Sequence, residues 1–259
     1  MATLRVVGSG EAFDHGLGNS SYLLSGKGVP TLLFDCGYQI PERLWAKRLH
    51  NKIAGLVITH LHADHIFGIV PLLARYWEEK RRAPFAILGP RGTESYIRRL
   101  MEYGYPGLAQ KLGFTLEFQL IDDLIPLTWK GLLIRGSRTQ HSILNHTVRV
   151  DTTPELTAQE EIRDFSFSIS GDGRLTPECL ELINGVKLHV QEVFTCRTPL
   201  GTHYDLQSFR AECLPLNIKK FALTHFARTE RTRILREIRV LSRKDPRIKA
   251  PRPGESFTL

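Results

Sequence analysis

Four potential metal ligands fall within six residues of the chain, inside the segment Thr59-His60-Leu61-His62-Ala63-Asp64-His65. The apolar residues 56–58 before this segment predict a short buried strand, and residues 66–79 after it carry apolar side chains at helical spacing. A turn between a strand and a helix can direct several side chains at one point. Imidazole nitrogens and a carboxylate are ligands that suit zinc. The segment therefore predicts a metal site, and we consider a histidine-rich loop without metal the weaker interpretation.

The same residues resemble a known signature. The order His60, His62, Asp64, His65 resembles the HxHxDH motif of the metallo-β-lactamase superfamily, in which the first two His bind one metal and the Asp and third His bind a second. The resemblance covers residues 8–226 and implies an α/β fold, the αββα sandwich of two mixed β-sheets flanked by helices. We expect residues 1–259 to form a single domain, with a C-terminal tail over 246–259.

The third histidine ligand has two candidates in the sequence. His141 and His146 both follow the predicted strand 132–135, and the residue types alone do not separate them. Family spacing to the next predicted strand, 148–150, favours His141. We then expect His146 to be a pocket or surface histidine.

Two other segments complete the ligand set that the resemblance implies. Asp172 lies in a Ser-Gly-Asp turn that resembles the family's metal-bridging position, although Asp-Gly also suits an ordinary turn. His225 ends the predicted strand 220–226 and resembles the last ligand. Asp35, at the end of another predicted strand, resembles a residue that steadies the metal site from beneath, with a plain strand-end turn as the alternative. The first site would use His60, His62 and His141, the second Asp64, His65 and His225, with Asp172 shared.

The implied cofactors are two divalent metal ions. Zinc is our first expectation, and manganese or iron would accept the same ligands. A hydroxide shared by two cations is a nucleophile at neutral pH, because each cation lowers the pKa of bound water. Asp64 could also orient that hydroxide. A single-iron oxygenase is less favoured, since His65 and His225 supply a full second site.

Glu192 and His203 point to one branch of the superfamily. Residues 190–194 partly resemble the HEATF strand of ribonuclease Z, with Gln191 in place of the usual His, and residues 201–204 resemble its HST motif. A carboxylate inside an apolar strand is costly without a partner. In that branch the Glu orients the His, which donates a proton to the leaving oxygen. The resemblance implies the same catalytic roles for Glu192 and His203.

The sequence leaves three functions open. A metal-dependent phosphodiesterase resembling ribonuclease Z would act on RNA or on a small or cyclic phosphodiester. The same metals could instead hydrolyse a thioester, lactone or sulfate ester, and a non-catalytic metal-binding module is the third option. Bacterial ribonuclease Z carries a long tRNA-binding arm before the Ser-Gly-Asp turn. Residues 145–169 are too few for such an arm and are acidic in the middle, which favours another phosphodiester at least equally.

Composition bears on partners and location. The formal charge is +8 and the pI about 9.5, and twelve Lys or Arg against four acids lie between residue 219 and the end. An anionic substrate and a merely solvated helix face explain this equally well. The four scattered Cys suit reduced thiols in the core of a cytoplasmic protein, and no apolar run is long enough for a membrane span. Relatives in the branch often pair, so a homodimer is one expected assembly.

Overall fold

Two seven-stranded sheets form the centre of the computed structural model, which describes residues 1–159 and 162–259. The strand order of the first sheet is β14-β1-β2-β3-β4-β5-β6, and that of the second is β13-β12-β11-β10-β9-β8-β7. The strands are β1 Thr3–Gly8, β2 Ser21–Gly26, β3 Val29–Phe34, β4 Gly55–Val57, β5 Phe85–Gly89, β6 Leu116–Leu120, β7 Leu127–Trp129, β8 Leu132–Arg138, β9 His146–Thr152, β10 Ser166–Ile169, β11 Leu188–Glu192, β12 Phe221–Thr224, β13 Ile248–Lys249 and β14 Ser256–Thr258.

Helices cover the outer faces of both sheets. They are α1 Ile40–Ala46, α2 Ala63–Ile66, α3 Ile69–Glu78, α4 Thr93–Gly104, α5 Leu108–Lys111, α6 Pro154–Thr157, α7 Pro177–Ile183, α8 Leu206–Ser208 and α9 Arg231–Lys244. A 3₁₀ turn spans His50–Lys52, and a π-helical turn spans Phe209–Cys213. This arrangement confirms the predicted αββα sandwich. None of the helices in the described part of the chain is long and apolar enough to cross a membrane.

The alternation of side chains along each strand separates three apolar layers. In β3, Leu32 and Phe34 face the core between the sheets, whereas Leu33 faces the helices of the first sheet. Phe34 meets Phe167 of the second sheet edge to face, with ring centroids 5.4 Å apart. A third layer packs α7 and α9 against the outer face of the second sheet. The four Cys are buried and unpaired, as predicted.

Parallel pairing brings the ends of the central strands to one edge. Strands β3 to β6 run parallel in the first sheet, and β10 to β13 run parallel in the second. Loops that follow the carboxyl ends of parallel strands therefore lie close together at that edge. Six of the seven residues predicted to bind metal follow β4, β10 and β12, and the seventh, His141, follows β8.

The C-terminal residues and the helix after the histidine-rich turn differ from what the sequence predicts. The expected loose tail is wrong: β13 pairs with β12, and β14 pairs with β1, so the C-terminal residues add a strand to each sheet. Buried Ile248 and Phe257 explain the difference, because each fills an apolar layer that would otherwise be open at the sheet edge. The helix predicted over 66–79 begins only at Ile69, because α2 ends at Ile66 and Gly68 lies between the two helices. A β-carbon at Gly68 would lie 2.3 Å from the Gly37 carbonyl oxygen, so only glycine allows this close approach.

The segment between the third predicted histidine ligand and the Ser-Gly-Asp turn is mostly regular structure. It contains β9, α6 and β10, and it returns directly to the second sheet. Thr153 caps α6 through a hydrogen bond from the Leu156 amide. Glu160 and Glu161, in the acidic middle of residues 145–169, lie outside the described residues.

Candidate metal centre and active site

One carboxylate, that of Asp35, holds the turn after β4 in place through hydrogen bonds. Asp35 has a positive φ of 54° at the end of β3, and its two oxygens accept hydrogen bonds from the Thr59 amide and hydroxyl, both at 2.8 Å. The same carboxylate accepts from His65 Nδ1 at 2.7 Å. Because Asp35 holds Nδ1–H, the other nitrogen of His65, Nε2, is left facing the centre with its lone pair.

The first predicted site brings three histidine rings together. His62 Nδ1 lies 3.1 Å from His60 Nε2 and 3.1 Å from His141 Nε2. Thr59 Oγ1 lies 3.0 Å from His60 Nδ1, and the Thr202 carbonyl lies 2.6 Å from His141 Nδ1. Both contacts place a proton on Nδ1, because the Thr59 hydroxyl already donates to Asp35 and a carbonyl can only accept. Lone pairs of both Nε2 atoms therefore point at the same small volume.

The second predicted site is buried and contains two carboxylates. His65 Nε2 lies 3.3 Å from Asp64 Oδ2 and 3.5 Å from Asp172 Oδ1. His225 Nε2 lies 3.5 Å and 3.6 Å from the same two carboxyl groups. Neither Nε2 makes a hydrogen bond to a described residue, although both rings are buried. Buried imidazole nitrogens without partners are unusual, and a cation among these four ligands would satisfy them.

Asp172 lies between the two clusters. One of its oxygens approaches His60 Nε2 of the first cluster at 3.9 Å, while both contact the second. The turn that contains Asp172 has a glycine with positive φ on each side of it, Gly171 at 61° and Gly173 at 101°. A β-carbon at Gly173 would lie 2.6 Å from the Gln140 carbonyl oxygen, so glycine lets this turn pack against the strand that leads to His141.

Electrostatics differ between the clusters. Burial and the neighbouring rings lower the pKa of His60 and His62, so both imidazoles are neutral and can bind a cation through a nitrogen lone pair. Burial also lowers the pKa of His65 and His225, but the adjacent carboxylates outweigh it and raise both pKa values well above normal. Burial raises the pKa of Asp64 and Asp172, and the two histidines outweigh it and lower both. The second cluster therefore attracts positive charge, which either protons or a cation can supply.

Glu192 and His203 lie directly beside Asp172. His203 Nδ1 is hydrogen bonded to Glu192 Oε1, and Glu192 Oε2 accepts the Gly173 amide at 2.7 Å. The His203 ring stacks on Phe194, with centroids 4.2 Å apart and planes at 19°. Burial lowers the pKa of His203, but its hydrogen bond to the Glu192 carboxylate raises the pKa above normal. The His203 side chain is 21% exposed, whereas that of Glu192 is buried.

The described structure brings all the predicted site residues to one edge of the sandwich. His146, expected in a pocket or on the surface, is the first residue of β9 and is 1% exposed, so the surface position is wrong. Its amide donates to the Thr59 carbonyl at 3.1 Å, and its ring packs against Gly136. Strand alternation turns this side chain inward, a direction that the residue type does not reveal.

Asn145 is a site residue that the sequence analysis missed. Its side-chain amide donates to the Asp172 carbonyl at 2.5 Å and to Thr139 Oγ1 at 2.7 Å, and Thr139 donates to the same carbonyl at 2.7 Å. These bonds tie the turn that carries Asp172 to the loop that carries His141. A single Asn in a polar loop gives no signal of this role, because the partner turn is distant in sequence.

Comparison with known proteins places the chain in a family. Residues 2–239 match the family described as Anti-Pycsar protein Apyc1. The chain belongs to this family. Ribonuclease Z of Halalkalibacterium halodurans is 31% identical to this family member over 239 residues, covering 75% of the chain and 77% of the relative. This match confirms the predicted resemblance to the ribonuclease Z branch. The chain spans only 26% to 40% of the length of other ribonucleases Z that it matches.

Solved structures share the fold of this family member. The short form of human tRNase Z superimposes with a TM-score of 0.77 at 20% identity, covering 99% of this chain and 98% of the human one. Unliganded yeast PDE1 superimposes with a TM-score of 0.73 at 14% identity, covering 100% and 99%. At these identities the likeness is one of fold, and it confirms the metallo-β-lactamase sandwich.

Proposed function

We propose that this protein is a metal-dependent phosphodiesterase with two divalent cations at the centre. The observation that carries the proposal is the position of the Glu192–His203 pair, which touches the Asp172 turn through the Gly173 amide. Hydrolysis of a phosphodiester with a poor leaving group needs a proton donor beside the metals. The family relationship to ribonuclease Z supports the same reaction type.

Seven side chains would hold the cations. The two groups of ligand atoms each lie within 4.8 Å of one another, which suits imidazole and carboxylate ligands around an ion. Divalent cations at such a site supply a water of lowered pKa and stabilise negative charge on the reacting phosphorus group. We expect zinc, and manganese or iron would suit the same donors. The ligands are His60, His62 and His141, then Asp64, His65 and His225, with Asp172 shared.

Three side chains have roles beyond holding cations. Asp64 lies at the second cluster, where its second oxygen can orient an attacking water. Glu192 fixes the His203 ring and favours its protonated form, and Phe194 sets the plane of that ring by stacking. The proton on His203 Nε2 is then available to the departing oxygen of the substrate. No side chain needs to form a covalent bond to phosphorus.

The substrate is anionic in this proposal. The charge of +8 raises the local concentration of anions. Residues 145–169 fold largely into β9, α6 and β10, which supports a small or cyclic phosphodiester over a substrate that needs a long arm. The ribonuclease Z relatives support RNA as the second candidate. A homodimer and a single domain over 1–259 remain predictions.

A leaving-group series tests the proposal. We expect His203→Ala to lower turnover of alkyl phosphodiesters by roughly 10²- to 10⁴-fold, the usual contribution of a positioned acid. The loss should shrink for p-nitrophenyl phosphodiesters, because their leaving group departs without a proton. His50→Ala is the matched control, since His50 makes the same kind of pair with Glu79, at 3.2 Å, outside the metal centre.

Hydrolysis of a different class of ester would give a different experimental result. If the protein is instead a hydrolase of thioesters, lactones or sulfate esters, the metal-loaded enzyme should turn over one of those esters faster than any phosphodiester. That result, or an equal loss in His203→Ala across all leaving groups, would contradict the phosphodiesterase proposal. A protein that binds metal and hydrolyses neither class would be the non-catalytic module.

A further inference from the structure

An exposed aromatic ring lies in a loop whose first residues pair with the strand end that carries His225. Phe13, in the loop between β1 and β2, has 65% of its surface exposed to solvent. Single exposed apolar residues are common on proteins and mean little alone. The surroundings of this ring set it apart, because both its loop and one of its faces are fixed by charged groups.

Hydrogen bonds hold the Phe13 loop in one conformation. Buried Glu11 accepts the Phe13 amide at 3.0 Å, and buried Asp14 accepts the amides of Gly16 and Leu17, each at 3.0 Å. Asp14 also pairs with the Arg231 guanidinium at the start of α9. The ring is therefore presented by a loop anchored on both sides, which limits the entropy that a bound ligand would have to remove.

Arg228 covers one face of the ring. The guanidinium carbon of Arg228 lies 5.2 Å from the Phe13 centroid, and Arg228 Nε pairs with Glu11 Oε1 at 2.6 Å. A ring that is covered on one face and still largely exposed must offer its other face to solvent. Cation and ring attract each other by a cation–π interaction, which fixes the ring plane.

Two backbone contacts limit how far Phe13 and Arg228 can lie from the chain segment that carries His225. Ser9 accepts the amide of His225 at 2.9 Å, and Gly10 pairs with Phe226. Phe13 follows Gly10 by three residues, and Arg228 follows His225 by three. At ~3.3–3.6 Å per residue, neither side chain starts more than about 11 Å along the chain from these anchor points.

The loop is also tied to the turn that carries Asp64. Asn19 Nδ2 donates to the Ala12 carbonyl at 3.1 Å. A β-carbon placed on Gly37 would lie 2.6 Å from Asn19 Oδ1 and 1.9 Å from the Asp64 carbonyl oxygen, so the Asn19 side chain and the Asp64 backbone nearly touch. The Phe13 loop is therefore tied to both chain segments that supply the second cluster, the one with His225 and the one with Asp64.

We propose that Phe13, backed by Arg228, is the platform on which the base of a nucleotide substrate stacks while its phosphodiester lies at the metal ligands. The inference rests on the proposed phosphodiesterase function and adds one residue that would position the base of a nucleotide substrate. A flat, uncharged aromatic face is complementary to a nucleobase of any identity. Nucleotides combine such a ring with a phosphodiester in one molecule. The platform predicts recognition of a base without strong preference among bases.

Paired substrates test the platform. We would compare adenosine 3′,5′-cyclic phosphate with the ribose cyclic phosphate that lacks a base. Phe13→Ala should raise KM for the adenosine compound by about five- to one-hundred-fold, the range expected from stacking on one aromatic ring, with little change in kcat. KM for the abasic compound should stay the same. Phe13→Trp, which keeps an aromatic face, should restore KM, and Tyr103→Ala, at a ring 83% exposed on α4, should have no effect.

The failures of the two proposals are separable. An unchanged KM in Phe13→Ala, or an equal rise for both compounds, overturns the platform while leaving the phosphodiesterase intact. If the wild-type enzyme hydrolyses neither compound, equilibrium binding of adenosine 5′-monophosphate and ribose 5-phosphate to the metal-loaded protein decides. Tighter binding of the adenosine compound that is lost in Phe13→Ala supports the platform, and absence of that preference in the wild type overturns it.

Discussion

The two ligand clusters contain similar side chains in different surroundings. The first has three histidines, of which His62 and His141 are partly exposed, and it shares a carboxylate only through Asp172. The second has two histidines and two carboxylates, and all four are buried. A buried site with carboxylates offsets the charge of a divalent cation and screens it from water, whereas a half-exposed site of neutral rings does less of both.

This difference predicts which cluster binds its cation more tightly and which cluster is more open to solvent. We expect the second cluster to hold its cation more tightly, because its buried imidazole nitrogens have no hydrogen-bond partner among the described residues and two carboxylates lie beside them. We expect the first cluster to exchange its cation more readily and to lie nearer to solvent. The following predictions test this contrast, beginning with the residue that belongs to both clusters.

The largest effect is predicted for Asp172→Asn. The substitution keeps the shape of the side chain but removes the negative charge that lies between the clusters. Turnover of a phosphodiester should fall to background, and metal content should fall at both sites. Enzyme assays with metal analysis by mass spectrometry check both expectations. Asp245→Asn is the matched control, because Asp245 pairs with Arg247 outside the metal centre.

Retained turnover in Asp172→Asn would contradict the assignment of Asp172 as the shared ligand. Loss of turnover with full metal content at both sites would give a different conclusion. Asp172 would then act on the attacking water or the substrate and not on the cations.

The second prediction separates the clusters by metal content. His141→Ala removes one ligand of the first cluster, and His225→Ala removes one of the second. After dialysis against a weak chelator, His141→Ala should keep about one ion per chain, whereas His225→Ala should keep fewer, because the remaining first cluster is more exposed. Equal content in the two variants would show that burial and charge do not set the order of affinity.

Asp35→Asn is expected to have an intermediate effect. Asp35 contacts no predicted cation position, but it holds His65 Nδ1 at 2.7 Å and the Thr59 amide at 2.8 Å. Loss of such a supporting carboxylate usually costs about 10- to 100-fold in metal affinity or activity. Metal titration should show the loss at the second cluster first. A weakened first cluster with an intact second one would be the contrary outcome.

Local sequence predicted much of the site because its residues follow strand ends. The cluster from His60 to His65 lies in one turn, and parallel strands necessarily bring Asp172 and His225 to the same edge. The metallo-β-lactamase fold and the ribonuclease Z resemblance are confirmed by the comparisons. The ligand roles remain predictions, although the described structure brings these side chains together.

Features that depend on long-range packing were not predicted. Asn145 links two loops whose proximity appears only in the folded chain, and the inward direction of His146 depends on strand register. The C-terminal strands are also missing from the sequence prediction, because short segments rich in Pro and basic residues carry little strand signal until a sheet edge is present to pair with them. Gly68, between α2 and α3, packs closely against Gly37, which is 31 residues away in the sequence.

The smallest effect is predicted for Ser142→Ala, the counterpart of Asp35→Asn at the first cluster. Ser142 Oγ lies 3.4 Å from His62 Nε2, near the limit of a hydrogen bond, and both groups are open to water. Water can replace a long, exposed bond, so its net worth is at the low end of about 0.5–1.5 kcal/mol. Metal affinity of the first cluster should change by roughly twofold or less, measured by the same titration. A loss as large as that of Asp35→Asn would mean that the first cluster depends on its supporting bonds as strongly as the second, and the contrast between an open and a buried site would then not hold.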